Sequence, residues 1–268
     1  GTSSQVFGDR TQITLSDIAG EVSLEGGGNN IGLASTLIGI RQSASTGVDT
    51  SQIFGDDSQI TLTSRRGDIK GEGFFGSRTQ HTGIGQEGID GTSSQVFGDR
   101  TQITLSDIVG EVSQDVEGSG TMHTSTLIGI HQSANIGGEA NQIFGDDSRV
   151  TLTSSRGDIN GSFHSDSRHT GIGQEGGDGT SSQSFGDRTQ IVLNDIFGEM
   201  SSAEARGSIN LTSSLIGIRQ SSDVAGISTQ IFGNDSQIRL THSSGGGSGQ
   251  TSVTSSSDQV GIEQNGYG

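Results

Sequence analysis

The sequence predicts an all-β fold, a parallel β-solenoid (β-helix) with no helix, built from six ~45-residue repeats that form three ~90-residue double repeats. Three observations predict it. A Phe-Gly pair recurs with Phe7, Phe54, Phe97, Phe144, Phe185 and Phe232, at spacings of 47, 43, 47, 41 and 47 residues. A second anchor, Gly-Ile-x-Gln, places Gln42, Gln86, Gln132, Gln174, Gln220 and Gln264 so that 11 or 12 residues separate each Gln from the next Phe. The third observation is compositional. Only 27% of the chain is apolar and 4% aromatic, with 46 Gly. That would suggest disorder, but the apolar residues recur at fixed phase, and stacking lets a thin core extend along an axis. The chain reads as one repeat domain, 1–268, in units 1–44, 45–90, 91–134, 135–178, 179–222 and 223–268.

Each unit opens with a short strand such as Ser3 to Phe7, followed by a Gly-Asp turn at Gly8, Asp9 and Arg10. An alternating strand follows, Gln12 to Ser16, with Ile13 and Leu15 on one face and Gln12, Thr14 and Ser16 on the other. The pattern returns at Gln59, Gln102, Arg149, Gln190 and Gln237, with the β-branched residues that strands favour. Between Phe and the next Gln lie 30 to 35 residues, so length variation sits there. This segment, including the Gly-rich stretch Glu25 to Asn30, reads as a surface excursion holding at most one irregular strand. The unit closes on Ser35 to Gln42, where Ile38, Ile40 and Gln42 are expected on one face. No stretch carries a 3.6-residue apolar period, and Pro is absent, as suits a backbone committed to ladders. A unit is expected to form one coil of about three strands, or two shorter coils. With strands ~4.8 Å apart, the rise per chain is then ~29 or ~58 Å.

Stacking equivalent positions creates columns. The six anchor Phe form an aromatic ladder. Gln5, Gln52, Gln95, Gln142, Gln183 and Gln230 lie two residues earlier and share its face. The anchor Gln form a second amide column. A buried amide is costly unless paired, and a Gln ladder pairs each amide with the next. In the turn, Arg10, Asp57, Arg100, Asp147, Arg188 and Asp235 alternate in charge. Adjacent coils then oppose opposite signs, and a slip of one coil opposes like signs. Duplication of a double unit yields the same alternation. Val6, Ile53, Val96, Ile143 and Ile231 form an apolar stripe interrupted by Ser184, able to pack beneath the variable segment or to bundle filaments.

Joining the end of one copy to the start of another places Gln264 11 residues before Phe7, the spacing from Gln86 to Phe97. The expectation is an in-phase, capless array that stacks head to tail. The stretch Gln230 to Leu240, Gln-Ile-Phe-Gly-Asn-Asp-Ser-Gln-Ile-Arg-Leu, resembles the curlin repeat, Gln-x-Gly-x-x-Asn-x-Ala-x-x-x-Gln, and the likeness runs through all six units. The resemblance implies a functional-amyloid subunit of an extracellular fibre, such as a biofilm matrix.

The charge of −17, with Lys70 the sole Lys, argues against nucleic acid or an anionic membrane as partner. No apolar run approaches a membrane span. There is no Cys, hence no disulfide or thiolate site. No catalytic or phosphate-binding motif occurs, and the six His fall at scattered positions read as surface. No cofactor is expected. The hard-oxygen turns Asp56, Asp57 and Asp146, Asp147 are the candidates for calcium. The function expected is a non-enzymatic structural subunit, secreted and extracellular, that polymerises with itself by strand stacking. The alternative is a monomeric or anchored adhesive or ice-binding solenoid. In that reading Thr61, Thr63, Thr151 and Thr153 belong to a regular outward Thr array, which Val192 and Arg239 break.

Overall fold

The computed structural model of the chain describes residues 1–24, 30–44, 47–89, 91–114, 120–135, 139–176, 180–202, 208–222, 227–245, 247–249 and 252–266. These residues form 24 β-strands and no helix. The first four strands set the pattern: β1 (Thr2–Phe7), β2 (Gln12–Ala19), β3 (Val22–Leu24) and β4 (Asn30–Ser43). Each belongs to a different six-stranded parallel sheet, and the chain returns to the same sheet every fourth strand. Six layers of four strands result, the last comprising Ile227–Phe232, Gln237–Ser243, Gly247–Gly249 and Ser252–Gly266. No helix among the described residues is long and apolar enough to cross a membrane.

The register is that of the sequence repeat. Phe7 pairs with Phe54, Phe54 with Phe97, and so on to Phe232, and Gln5 and Gln42 head columns of the same kind. The chain meets each sheet once per unit, and a unit carries four strands where about three were expected. The alternating strand is also longer than its Gln12–Ser16 nucleus. It runs on through Asp17, Ile18 and Ala19, because alternation continues in the backbone although side-chain polarity no longer marks it.

Two apolar clusters lie between the sheets. The first joins the Phe column, the Ile13 and Leu15 columns, and Leu37 and Ile40 with their equivalents. The second joins Ile69, Val112, Ile159 and Met200 of the third sheet to Val109, Phe197, Phe75, Phe163, Ile209 and Leu211. The variable segment is therefore not a surface excursion; its described residues build a second core. Of the Gly-rich stretch Glu25 to Asn30, only Asn30 lies within the described residues.

The closing strand bends once. Leu37 and Ile40 both pack inward, whereas Ile38 is exposed, so Ile38 does not share the face of Ile40 and Gln42. The shift of phase occurs at Gly39, where the ladder skips a pair. A Cβ there would lie 2.5 Å from the Gly83 carbonyl oxygen and 2.9 Å from Ile60 Cγ2. The same approach recurs at Gly83, Gly129, Gly171 and Gly217. Only glycine lets successive layers close to sheet spacing at this corner.

Candidate functional site

The residues singled out by the repeat converge on ladders that run the length of the stack and end at its two open edges. The Phe rings stack at centroid distances of 4.7–5.0 Å with interplanar angles of 8–11°. Strand spacing holds them near-parallel, and the flanking Ile and Leu columns exclude water. The interior rings are almost fully buried, while Phe232 in the last layer is 38% exposed.

Both amide columns are hydrogen-bonded along the stack. Gln52 Nε2 donates to Gln5 Oε1, and Gln95, Gln142, Gln183 and Gln230 each donate to the Gln of the preceding layer, at 2.8–3.1 Å. In the second column Gln86 donates to Gln42, and Gln132, Gln174, Gln220 and Gln264 follow the same rule at 2.9–3.2 Å. The second donor hydrogen goes to neighbouring backbone, as from Gln132 to the Ser93 carbonyl. Gln86, Gln132, Gln174 and Gln220 have no solvent exposure. An amide supplies both donor and acceptor, so the ladder satisfies buried polar atoms that a solvated strand position would leave to water.

The turn carries two more ladders. Asp9 Oδ1 accepts the backbone N–H of Asp56, and the relation repeats through Asp99, Asp146, Asp187 and Asn234 at 2.6–3.1 Å. The next residue is left-handed in every layer: Arg10, Asp57, Arg100, Asp147, Arg188 and Asp235 have φ of 56–58°. Asp visits this region readily and Arg does so at a cost. The Arg are held there by forked pairs: Arg100 Nε to Asp57 Oδ1 at 2.5 Å, and Arg188 Nε to Asp147 Oδ1 at 2.6 Å. These hydrogen bonds hold the Asp57 and Asp147 carboxyls below their usual range. Arg100 and Arg188 each pair with the Asp of the preceding layer. Asp57 and Asp147 are thus committed to Arg, and Asp56 and Asp146 to backbone N–H. Among the described residues no group of three or more His, Cys, Asp or Glu is placed to hold a metal ion.

The remaining marked positions lie outside the ladders. Thr14, Thr61, Thr104 and Thr151 form an outward column that continues into Val192 and Arg239. In the Val6 stripe, Val6 is 70% exposed and Ile143 48%, so this stripe is not packed beneath the variable segment.

Sequence reasoning missed the polar seam between the two cores. His81, His123 and His169, read as surface residues, are buried. Arg66 Nη1 donates to Asp107 Oδ1 at 3.1 Å and to Thr79 Oγ1 at 2.8 Å, and His123 Nε2 lies 2.9 Å from Asp107 Oδ2. Arg156 repeats the arrangement on Asp195 at 2.9 Å and on Ser167 at 3.0 Å. Burial opposes the Asp107 charge, but His123, Arg156 and Arg66 outweigh it and hold the carboxyl well below the usual range. Burial pushes His123 down as well, so at neutral pH Arg66 carries the compensating charge. His81 and His169 are each pushed down to about 4, chiefly by burial. The signal was present in the sequence: His81 and His169 stand at the same place in successive double units, 88 residues apart.

No protein-family model, curated protein or solved structure matches the chain.

Proposed function

We propose that the four sheets are the faces of one β-solenoid of six coils, and that copies of it stack head to tail into a filament. The observation that carries this reading is the common polarity of the Gln and turn ladders. In both Gln columns, the turn Asp column and the turn Arg–Asp pairs each layer donates to the one before it. Among the described residues the first layer therefore keeps unused donors: the Gln5 amide, the Asp9 backbone N–H and the Arg10 guanidinium. The sixth keeps the matching acceptors: Gln230 Oε1, Asn234 Oδ1 and the Asp235 carboxylate. Among the described residues neither Arg10 nor Asp235 has an ion pair. Nothing among the described residues covers either edge of any sheet.

A donor surface at one end and an acceptor surface at the other make a heterologous contact, which propagates rather than closes. Another copy placed on the sixth layer would set Phe7 on Phe232, Leu15 on Leu240, Ile40 on Ile262 and Arg10 on Asp235. Backbone strand addition supplies most of the affinity, and the columns supply register. The curlin resemblance points the same way, towards an amyloid-like matrix fibre outside the cell. Electron microscopy of the purified chain tests the reading. Unbranched filaments with an axial repeat near ~29 Å, six strand spacings, are expected. Particles that stay monomeric at high concentration overturn it.

A further inference from the structure

The seam follows a charge rule inside the chain and breaks it at both ends. One inward column of the second sheet reads Asp17, Ser64, Asp107, Ser154, Asp195, His242. Two residues further along, Arg66 and Arg156 stand in the second and fourth layers. Each buried carboxylate of an odd layer is neutralised by the guanidinium of the layer before it: Asp107 by Arg66 and Asp195 by Arg156. Asp17, in the first layer, is exposed and has no ion pair among the described residues. The sixth layer, which would precede it in a stack, carries Ser244 at the Arg position and His242 in the carboxylate column. His242 Nδ1 lies 3.5 Å from Asp195 Oδ2, and Nε2 lies 2.9 Å from Ser255 Oγ. Asp195 already has Arg156, so a charged His242 has a second carboxylate to serve.

We propose that the head-to-tail junction is gated by a proton on His242, which must be charged to receive Asp17 of the next copy. The proposal rests on the stacking reading above. A carboxylate carried into a dry junction without a cation disfavours the contact, and the same carboxylate beside an imidazolium does not. Histidine is the side chain that changes charge between pH 5 and 8. From its own copy His242 faces Asp195, with Arg156 and His169 behind it, the edge of the Phe197 ring, and Ser255. From the incoming layer it would face Asp17, with Ser35 opposite, and Arg66 and His81 one layer further on. Arg66 is committed to Asp107, Thr79 and the Arg78 carbonyl, which leaves His242 as the cation for Asp17.

Sedimentation and microscopy of the full chain at pH 5.5 and pH 8 test the gate, with circular dichroism to confirm that each variant is folded. The wild-type critical concentration is expected to rise about tenfold or more from pH 5.5 to pH 8. His242→Arg places a permanent cation beside Asp17 and should assemble equally at both values. Asp17→Asn removes the buried charge and should do the same. His242→Ser should assemble poorly at both. A wild-type chain that assembles equally well at pH 5.5 and 8 overturns the gate and leaves stacking intact. So do His242→Arg and Asp17→Asn variants that keep the wild-type pH dependence, since a general loss of net negative charge then explains it. If folded chains of all four sequences remain monomeric at both pH values, stacking itself fails and the gate fails with it.

Discussion

In the core shared by the first, second and fourth sheets, three columns repeat one residue in all six layers. In the core beside the third sheet, the columns change from layer to layer. The first holds six Phe, six Leu from Leu15 to Leu240, and six Ile from Ile40 to Ile262. The second runs Ala19, Arg66, Val109, Arg156, Phe197 in one column and Ile31, Phe75, Thr121, Phe163, Ile209, Val253 in another. A uniform column packs well but cannot tell one layer from the next, so it tolerates a slip by a whole layer. The mixed core cannot slip: a shift by one layer would put Ser154 in the place of Asp107 and strand Arg66. One core supplies cohesion and the other supplies layer identity, and each can be broken separately.

The largest loss is expected from the uniform core. Phe97→Ala removes a ring stacked on both faces and leaves a cavity in a column that cannot relax, costing about 3–5 kcal/mol. Phe163→Leu, in a column that already accepts Ile209, should cost about 1 kcal/mol. Urea titration of both variants measures the contrast, and equal losses would mean that the two cores do not differ in tolerance.

Next comes the seam. Asp107→Ala leaves the buried Arg66 guanidinium without its counter-charge and should cost roughly 3–4 kcal/mol. The double variant Arg66→Met/Asp107→Leu should recover most of that loss in chemical denaturation. It should also weaken layer identity, read as heterogeneous filament register by microscopy.

What the sequence revealed divides along the same line. Phe and Gln kept their spacing through all six units, so the register, the amide ladders and the turn alternation were legible. Unchanged columns are visible as repetition. The third strand of each layer and the second core were hidden because the columns beside them substitute Arg, Val and Phe for one another. No single position there looks apolar throughout. Gly39 hid a corner, and counting by twos across it put Ile38 on the wrong face. His81 and His169 alternate with Leu37, Leu127 and Leu215 before the column ends on Gln259, and a column of three Leu, two His and one Gln reads as neither core nor site.

That Leu/His column gives a third test. Burial pushes His81 and His169 down to about 4 in the folded chain, against 6.5 for the free side chain. The unfolded chain therefore binds more protons between those values, and stability falls as pH drops from about 6.5 to about 4. Each imidazole should account for roughly 2–3 kcal/mol over that window. The effect is complete above the unfolded value and exhausted below the folded one. His81→Leu/His169→Leu makes the column Leu through its first five layers and should flatten that part of the profile in thermal unfolding from pH 7 to pH 4. A double variant as acid-sensitive as the wild type would assign the sensitivity elsewhere in the seam.

The smallest effect on stability is expected outside both cores. Val96 and Ile143 point outward on the first sheet, one residue before buried Phe97 and Phe144, and their stripe breaks at Ser184. Val96→Asp with Ile143→Asp adds two charges to adjacent layers without touching either core. Stability should change by less than about 0.5 kcal/mol per site. On the stacking proposal single filaments should persist, because the proposed contact is made by the inward columns. Side-by-side bundles should be lost if the stripe joins filaments, since one chain's narrow stripe is too small to hold a dimer and only a polymer repeats it often enough. Unfolding of this variant would show that the outward face of the first sheet contributes to the fold, and would end its description as a surface.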